Sequence, residues 1–279
     1  IVNLRWLDAD FVSDNLDTIF PVDNTEEATE RFDAAWSAYL SVTRWQSDIY
    51  SWLREYYFHA IDLHVKEGRF GGHNEGRGLV AHTLCAYIGE YESLEDDDSL
   101  ITYFYENISP DTAGDASWQL MRWGNDQSEF KEHWNKVRAL WEWRLDQVSR
   151  DSEAHGREFE WFIEWLDIVD EQVEPSEIQQ LTIETFPMVS SRSRVWDTVE
   201  DYLTKYIQED PLTGIQIYSE LVDQPVWPNF RTFNGDTRKI LESALEQGGE
   251  PRDIVRETTE SIAESDTDYL GLLDQYSID

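Results

Sequence analysis

Lysine and cysteine are scarce in this sequence, and each scarcity limits the classes of protein to which the chain can belong. Five of the 22 basic residues are lysines, and the 279 residues include a single cysteine, Cys85. One cysteine excludes an internal disulfide framework and suits a reducing cytoplasm, where we expect the protein to reside. Because its neighbours are apolar, we expect a buried, unreactive thiol. No run of about 18 apolar residues occurs, so we expect no membrane-spanning helix.

Basic residues as a whole are far outnumbered by acidic ones. The chain has 58 Asp and Glu against 22 Lys and Arg, which gives a formal net charge of -36. Such a chain is either disordered or folded where salt screens its repulsion, and an aromatic content of 14% favours the folded state. Because molar salt shortens the Debye length to about 3 Å, we interpret the composition as that of a halophile. The acidity also disfavours nucleic acid as a partner.

Apolar residues recur at steps of three and four, which places them on one face of a helix, and long alternating strand patterns are absent. The three clearest stripes are Ile49, Trp52, Leu53, Tyr56, Tyr57, Ala60 and Ile61; then Phe130, Trp134, Val137, Trp141, Leu145 and Val148; and Val195, Trp196, Val199, Tyr202, Leu203, Tyr206 and Ile207. Each stripe predicts a helix that packs against other helices.

Capping signals divide these patterns into helices of ordinary length. Asn24 and Ser176 each stand three residues before Glu or Gln, as in a capping box. Asp210 precedes a proline, and Gly248 with Gly249 closes one helix before the next begins. The predicted helices cover residues 8–19, 25–43, 47–65, 75–90, 98–108, 112–123, 128–149, 153–169, 176–186, 193–208, 211–223, 236–247, 251–264 and 267–275.

The short connections make consecutive helices antiparallel neighbours. The sequence therefore predicts an all-α fold, an irregular antiparallel helix-hairpin array of the HEAT-like or tetratricopeptide-like solenoid type, in which a pair occupies about 35–45 residues. Stretches rich in Gly, Asp and Asn divide the chain into an N-terminal helical lobe at 1–127 and the array at 128–279, unless both form one continuous domain. No strict repeat consensus accompanies the pairs.

The most unusual segment, Gly68–Gly78, has five glycines in eleven residues before a predicted helix. Glycines allow close approach of the backbone to a ligand, and the free amides of a helix start attract anions. Arg69, His73, Asn74 and Arg77 are therefore candidate ligand-binding residues, with a phosphate or a carboxylate as ligand. The segment lacks the order of a phosphate-binding loop, so a simple connector between helices is the alternative.

A metal site is a further possibility, because Glu55, His59 and Asp62 share one side of a helix. That side lies away from the apolar stripe, so we expect a hydrated surface there. The sequence has no paired zinc or iron motif and no signature of a serine nucleophile. We therefore predict no metal, no cofactor and no catalytic residue.

Contact with a partner protein is indicated by other residues. Trp143 lies off the apolar stripe of its helix, which makes it a candidate anchor facing a partner. Arg192 and Arg194 form a local basic segment at a predicted helix start, where they contact a partner or only cap the helix.

The second half of the chain resembles the C-terminal helical-repeat regions of large haloarchaeal multidomain proteins of the defence-associated NTPase or sirtuin-domain type. The resemblance lies in Leu140-Trp-Glu-Trp-Arg144, Phe159-Glu-Trp-Phe-Ile-Glu-Trp-Leu166, Asp210-Pro211, Ile240-Leu-Glu-Ser-Ala-Leu-Glu-Gln-Gly248 and Tyr269-Leu-Gly-Leu-Leu273. It implies a sensor or assembly arm, with nucleotide chemistry in a separate domain. No catalytic residue is carried over, because the phosphate-binding lysine motif is absent.

These features favour a non-catalytic helical scaffold or recognition arm that contacts another protein or another domain of the same polypeptide. Because the sequence begins at Ile1 without an initiator Met, we expect a piece of a larger protein, unless the N-terminus is processed. The alternative is a regulatory or enzyme domain that binds a small ligand or anion through the glycine-rich segment 68–78.

Overall fold

The computed structural model describes residues 8–23, 25–42, 44–67, 74–126, 132–148, 153–169, 175–189, 195–223 and 235–263. Within these ranges the chain forms helices joined by turns and contains no β-strand, so the all-α prediction is confirmed. In the same ranges no helix combines the length and the apolar character needed to cross a membrane.

The helices of the described residues are numbered here in chain order. They are α1 Ala9–Asp14, α2 Leu16–Ile19, α3 Glu26–Val42, α4 Ser47–Glu67, α5 Asn74–Ile88, α6 Leu100–Asn107, α7 Pro110–Asp126, α8 Trp134–Gln147, α9 Gly156–Ile163, α10 Leu166–Val169, α11 Pro175–Thr185, α12 Val195–Tyr206, α13 Pro211–Val222, α14 Gly235–Gln247 and α15 Glu250–Ala263. Single 3₁₀ turns lie at Glu153–His155 and Phe186–Met188.

The chain divides into two compact units. The N-terminal unit comprises Ile1–Leu120 with Asn135–Leu140, and the C-terminal unit comprises Met121–Trp134 with Trp141–Asp279. Helix α8 therefore contributes residues to both units. The predicted boundary between 127 and 128 is a division by sequence composition, and it stays a prediction.

Aromatic rings fill the core of the N-terminal unit. Phe20 and Trp36 meet edge to face at 5.2 Å, and Trp36 meets Tyr57 in the same way at 4.9 Å. Edge-to-face pairs of this kind add to the stabilisation from buried area. Helices α3 and α5 cross closely at Gly78, where an added Cβ would lie 3.0 Å from Cβ of Leu40. These contacts join α2, α3, α4 and α5 into one core.

The C-terminal unit is centred on aromatic residues of several helices. Trp141 of α8 stacks on Phe162 of α9 with ring centroids 5.7 Å apart, and its indole N–H donates to Thr185 Oγ1 at 2.8 Å. Gly124 of α7 packs against Trp165, whose ring would lie 2.8 Å from an added Cβ. All seven residues of the predicted stripe from Val195 to Ile207 are buried.

In both units, several helices pack against the next helix but one along the chain. In the N-terminal unit α3 packs on α5 and α4 packs on α6. In the C-terminal unit α12 packs on α10 and on α14, while α13 packs on α11 and on α15. Consecutive helices such as α13 and α14 also touch. Contact with the next helix but one thus recurs along the chain in both units.

Most predicted helices match the structure, and the departures have local causes. The predicted helix 8–19 is broken at Asn15, and 153–169 consists of a 3₁₀ turn and two short helices. The prediction that Ser176 caps a helix was wrong, because Ser176 lies inside α11, which begins at Pro175. The stripes are otherwise confirmed, although Trp52 is only half-buried. Asn24, Phe130 and the predicted helix 267–275 lie outside the described residues.

Two capping predictions are confirmed. Asp210 accepts a hydrogen bond from the amide of Thr213 at 3.1 Å and precedes Pro211 at the first helical position. Gly248 and Gly249 have φ of 70° and 64°, a region that favours glycine, and they join α14 to α15.

Candidate functional site

The glycine-rich segment lies only partly within the described residues. Arg69 and His73 are outside them, and so is the side chain of Asn74, the first residue of α5. Arg77 is an exposed residue on the first turns of α5. Gly78 has a structural role, because its missing side chain permits the close crossing of α5 and α3. A convergence of Arg69, His73, Asn74 and Arg77 on one ligand stays a prediction.

Among the partner-facing candidates, Trp143 is described and Arg192 and Arg194 lie outside the described residues. Trp143 is half-buried on α8, with the guanidinium of Arg144 5.7 Å from the centre of its ring. This distance fits a cation–π contact, which holds the indole in a defined orientation. The ring is therefore placed at the edge of the C-terminal unit's core and still reaches the surface.

Arg144 belongs to a buried charged cluster of the C-terminal unit. Its Nε and Nη2 atoms donate to the two carboxylate oxygens of Glu158 at 2.6 and 3.1 Å, and both side chains are buried. His155 Nδ1 lies 2.7 Å from Glu158 Oε2. A bidentate arginine–carboxylate pair with a third group on the same carboxylate joins α8 to α9.

Glu55, His59 and Asp62, the possible metal ligands, are not arranged as a metal site. Glu55 and Asp62 are exposed, and Asp62 accepts a hydrogen bond from the hydroxyl of Tyr103. His59 is half-buried against Phe32, and this desolvation lowers its pKa. Within the described ranges no group of three or more His, Cys, Asp or Glu side chains is placed to hold a metal ion. Cys85 is half-buried rather than fully buried as predicted, and this burial raises the pKa of its thiol to about 11, which opposes nucleophilic behaviour.

A densely bonded group of the N-terminal unit is Glu92, which was not among the residues selected from the sequence. Its buried carboxylate accepts hydrogen bonds from the Tyr50 hydroxyl at 2.5 Å and from Arg54 Nε at 2.7 Å. The Ser99 hydroxyl and the Leu100 amide donate to its other oxygen at 3.2 and 2.6 Å. Glu92 thus fixes the loop 89–99 to α4 and caps the start of α6.

The electrostatics of this group follow from its contacts. Burial alone would raise the pKa of Glu92, but hydrogen bonds from Arg54, Tyr50 and the Leu100 amide outweigh it, so the pKa is lowered. Burial and the adjacent carboxylate raise the pKa of the Tyr50 hydroxyl. At neutral pH the ionised Glu92 and the protonated Tyr50 therefore stabilise each other.

The loop that Glu92 holds begins with a residue in an unusual backbone conformation. Glu90 has φ of 64°, and among the described residues other than glycine it alone has positive φ. The amides of Tyr91 and Glu92 donate to the Ala86 carbonyl at 2.9 and 3.2 Å, as in a helix end that normally uses glycine. The left-handed region costs a side chain roughly 1–2 kcal/mol. An exposed ion pair such as Glu90–Lys136, at 3.6 Å, offsets about 0–1 kcal/mol of that.

Tyr91 follows directly and is 49% exposed, which makes it one of the few exposed large hydrophobic side chains of the described residues. Its ring meets Trp45 at 5.2 Å and Tyr50 at 5.9 Å, and Trp45 meets Tyr50 at 6.0 Å. We call Trp45, Tyr50 and Tyr91 the aromatic triad. One side of Tyr91 is therefore held by two rings while the rest faces solvent.

Comparison with protein-family models, with curated proteins and with solved structures found no match to this chain. The resemblance to helical-repeat regions of haloarchaeal multidomain proteins accordingly stays a hypothesis.

Proposed function

We propose that the chain is a non-catalytic recognition arm, an irregular helix-hairpin array that contacts another protein or another domain of its own polypeptide. The observation that carries this proposal is the alternation of neighbours, in which α11, α13 and α15 pack in succession and α12 packs on α14. Stacked helix pairs that contact mainly their neighbours are typical of solenoids, whose extended surfaces bind proteins.

A weak repeat in the sequence supports the same proposal. At the start of α11, α13 and α15 stands a proline that follows an acidic residue in the sequence, at Pro175, Pro211 and Pro251, about 36 and 40 residues apart. Proline at the first helical turn and an acidic residue before it both favour a helix start. Those spacings lie near the repeat lengths of tetratricopeptide and HEAT arrays, about 34 and 40–47 residues.

Buried charged groups add support, because they brace helices. The Arg144–Glu158 pair joins α8 to α9, and Glu92 joins α4 to α6. A binding surface that is rigid before contact loses less entropy on association. Such bracing suits a scaffold whose surface is fixed in advance.

A photo-cross-linking amino acid at position 143 tests the recognition role. In the full polypeptide as it occurs in the cell, we expect one discrete adduct with a protein or with another domain, because Trp143 is placed as an anchor. The same group at the exposed position Glu142 is the control and should give a weaker, different adduct. If position 143 yields no adduct beyond background, the proposed contact is wrong.

The alternative function is binding of a small anion through the glycine-rich segment, and it makes a separate prediction. Inorganic phosphate or a nucleotide would then raise the melting temperature by mass action, and Arg69→Ala with Arg77→Ala would abolish that rise. Under the recognition-arm proposal neither ligand changes the melting temperature.

We also propose that the protein works in concentrated salt, which its charge of -36 supports. Lowering KCl from about 2 M to about 0.1 M lengthens the range of carboxylate repulsion. The melting temperature should then fall sharply, and an unchanged value would contradict the proposal.

A further inference from the structure

We propose that Tyr91, together with the carboxylate of Glu90, is a docking site for an arginine side chain of a partner segment. This inference rests on the proposed recognition role and names the chemistry of one contact. The site lies in the N-terminal unit, at the start of the loop that joins α5 to α6.

The site is held rigid on both sides. Before Tyr91, the left-handed backbone of Glu90 is fixed by two amides that donate to the Ala86 carbonyl. After Tyr91, the buried carboxylate of Glu92 is anchored by Tyr50, Arg54 and the start of α6. An exposed aromatic side chain between two such anchors loses little freedom on binding.

A glutamate at position 90 destabilises the fold, because its backbone has positive φ. The backbone bonds of this helix end would form equally well with glycine, which tolerates positive φ. The Glu90 carboxylate is 76% exposed and makes a 3.6 Å ion pair with Lys136. Backbone conformations of this kind persist at sites of recognition, where a side chain must be presented in a fixed direction.

The chemistry of the exposed side chains suits a guanidinium. Tyr91 is 49% exposed and an aromatic ring carries a negative π face, while Glu90 is adjacent to it in the chain. A planar guanidinium stacks on an aromatic face and bonds a carboxylate with two N–H groups at once, which an ammonium cannot do. Glu95 and Asp96 of the same loop are exposed and add negative charge. The occupant that fits is therefore an arginine rather than a lysine or an acidic residue.

The test uses blocked hexa-arginine and hexalysine peptides as probes, with binding to the full chain measured by calorimetry. At about 2 M KCl long-range attraction to the acidic surface is screened, so a remaining preference reports short-range contacts. We expect hexa-arginine to bind about tenfold more tightly than hexalysine, since the stacked guanidinium contributes a cation–π contact. Tyr91→Ala should remove that preference, whereas Tyr91→Phe should keep it.

Two further variants separate the carboxylate of Glu90 from general charge. Glu90→Gln should weaken hexa-arginine binding about threefold, because the bidentate bond is lost. The matched control Glu106→Gln removes an exposed carboxylate on α6 and should leave binding unchanged. Circular dichroism and melting curves confirm that each variant is folded.

The inference is overturned if the wild-type chain does not prefer hexa-arginine, or if Tyr91→Ala binds it as tightly as the wild type. Those outcomes concern the N-terminal unit and leave the recognition role intact. That role fails separately, through the absence of an adduct at position 143.

Discussion

The two units of this protein connect distant helices by different polar contacts. In the N-terminal unit tyrosine hydroxyls donate to carboxylates, as in Tyr50 to Glu92, Tyr56 to Asp17 and Tyr103 to Asp62. In the C-terminal unit the buried carboxylate of Glu158 is held by Arg144 and contacted by His155, whereas Glu92 of the N-terminal unit shares its oxygens between Arg54 and hydroxyl donors. With few lysines in the chain, neutral hydroxyls take over part of the pairing of acidic residues. The two units should therefore respond differently to pH and to loss of one charge.

Alkaline pH should have the largest effect on the N-terminal unit. Tyr39, Tyr50, Tyr56, Tyr57, Tyr87 and Tyr103, all of the N-terminal unit, have raised pKa values, with burial the main cause in most of them. In the folded state they keep a proton that the unfolded chain releases above about pH 10. Stability therefore falls as pH rises through that value, by about 1.4 kcal/mol per pH unit for each deeply buried tyrosine. Hydrogen exchange recorded after timed jumps to alkaline pH would measure this fall in stability.

Tyr87→Phe provides the control for that titration. The buried Tyr87 hydroxyl donates to the Lys136 carbonyl at 2.8 Å, so the substitution removes one titrating group and one hydrogen bond. The variant should start less stable at neutral pH and lose stability less steeply above pH 10. An identical slope would show that tyrosine burial does not govern the alkaline limit.

Loss of Arg144 should be the most damaging single substitution among those considered. Arg144→Ala leaves the buried Glu158 carboxylate without its bidentate partner, and we expect a loss of about 3–5 kcal/mol. Urea denaturation measures the free energy of unfolding. The double variant Arg144→Met, Glu158→Leu should recover most of the loss, and failure to do so would mean that packing of the arginine stem dominates.

The equivalent change in the N-terminal unit should cost less. Glu92→Gln weakens its five hydrogen bonds but leaves Arg54, whose side chain is 26% exposed and can be hydrated. We expect a loss of about 1–3 kcal/mol. Because the Glu92 pKa is lowered, its contribution is present above the ordinary value and is lost as pH falls through the folded value. Glu95→Gln, in the same loop but exposed, should change stability by less than about 0.5 kcal/mol.

Close helix crossings allow a smaller comparison. Gly124→Ala places a methyl group 2.8 Å from the Trp165 ring, which should cost about 1–3 kcal/mol before about 1 kcal/mol is regained from helix propensity. Gly78→Ala in the N-terminal unit meets the Leu40 Cβ at 3.0 Å and the Leu40 carbonyl oxygen at 3.3 Å, which can move only with the backbone of α3, so it should also cost about 1–3 kcal/mol before the gain in helix propensity. Thermal unfolding of both variants decides whether the crossing in the C-terminal unit is the tighter one.

The smallest effect should be a gain. Glu90→Gly relieves the positive φ at the end of α5, and we expect about 0.5–1 kcal/mol of added stability. Gly249→Glu, at a turn with φ of 64° and open space around it, is the reverse control and should cost a similar amount. A loss of stability on Glu90→Gly would show that the Glu90–Lys136 pair matters more than the backbone.

Helix periodicity predicted most of this fold, because a stripe such as Val195 to Ile207 depends on local sequence alone. Breaks such as Asn15 and the irregular turn before Trp165 come from tertiary packing, which overrides propensity. An acidic residue followed by proline recurs at Pro175, Pro211 and Pro251 and indicates the spacing of the repeats. This pair was not selected from the sequence, because no full repeat motif accompanies it.

The candidate sites were less predictable, for a physical reason. With 58 acidic residues in the chain, sequence alone cannot distinguish the buried Glu92 and Glu158 from hydrated carboxylates, since their partners are brought together only by the fold. Tyr91 likewise looks like any surface aromatic until the backbone at Glu90 and the triad around it are known. Trp143 could be selected from the sequence because its displacement from an apolar stripe is a local property, and its role as an anchor stays a prediction.

Hydrogen exchange on a single variant, Val255→Ala, tests the central claim that helix pairs are stacked in succession. Val255 is fully buried in α15, which packs on α13 and α14. In a stacked array the lost contacts should lower protection in α13, α14 and α15 and leave α9 and α10 unchanged, because coupling is mainly between neighbours. An equal fall in protection across α9 to α15 would show one undivided core and contradict the array.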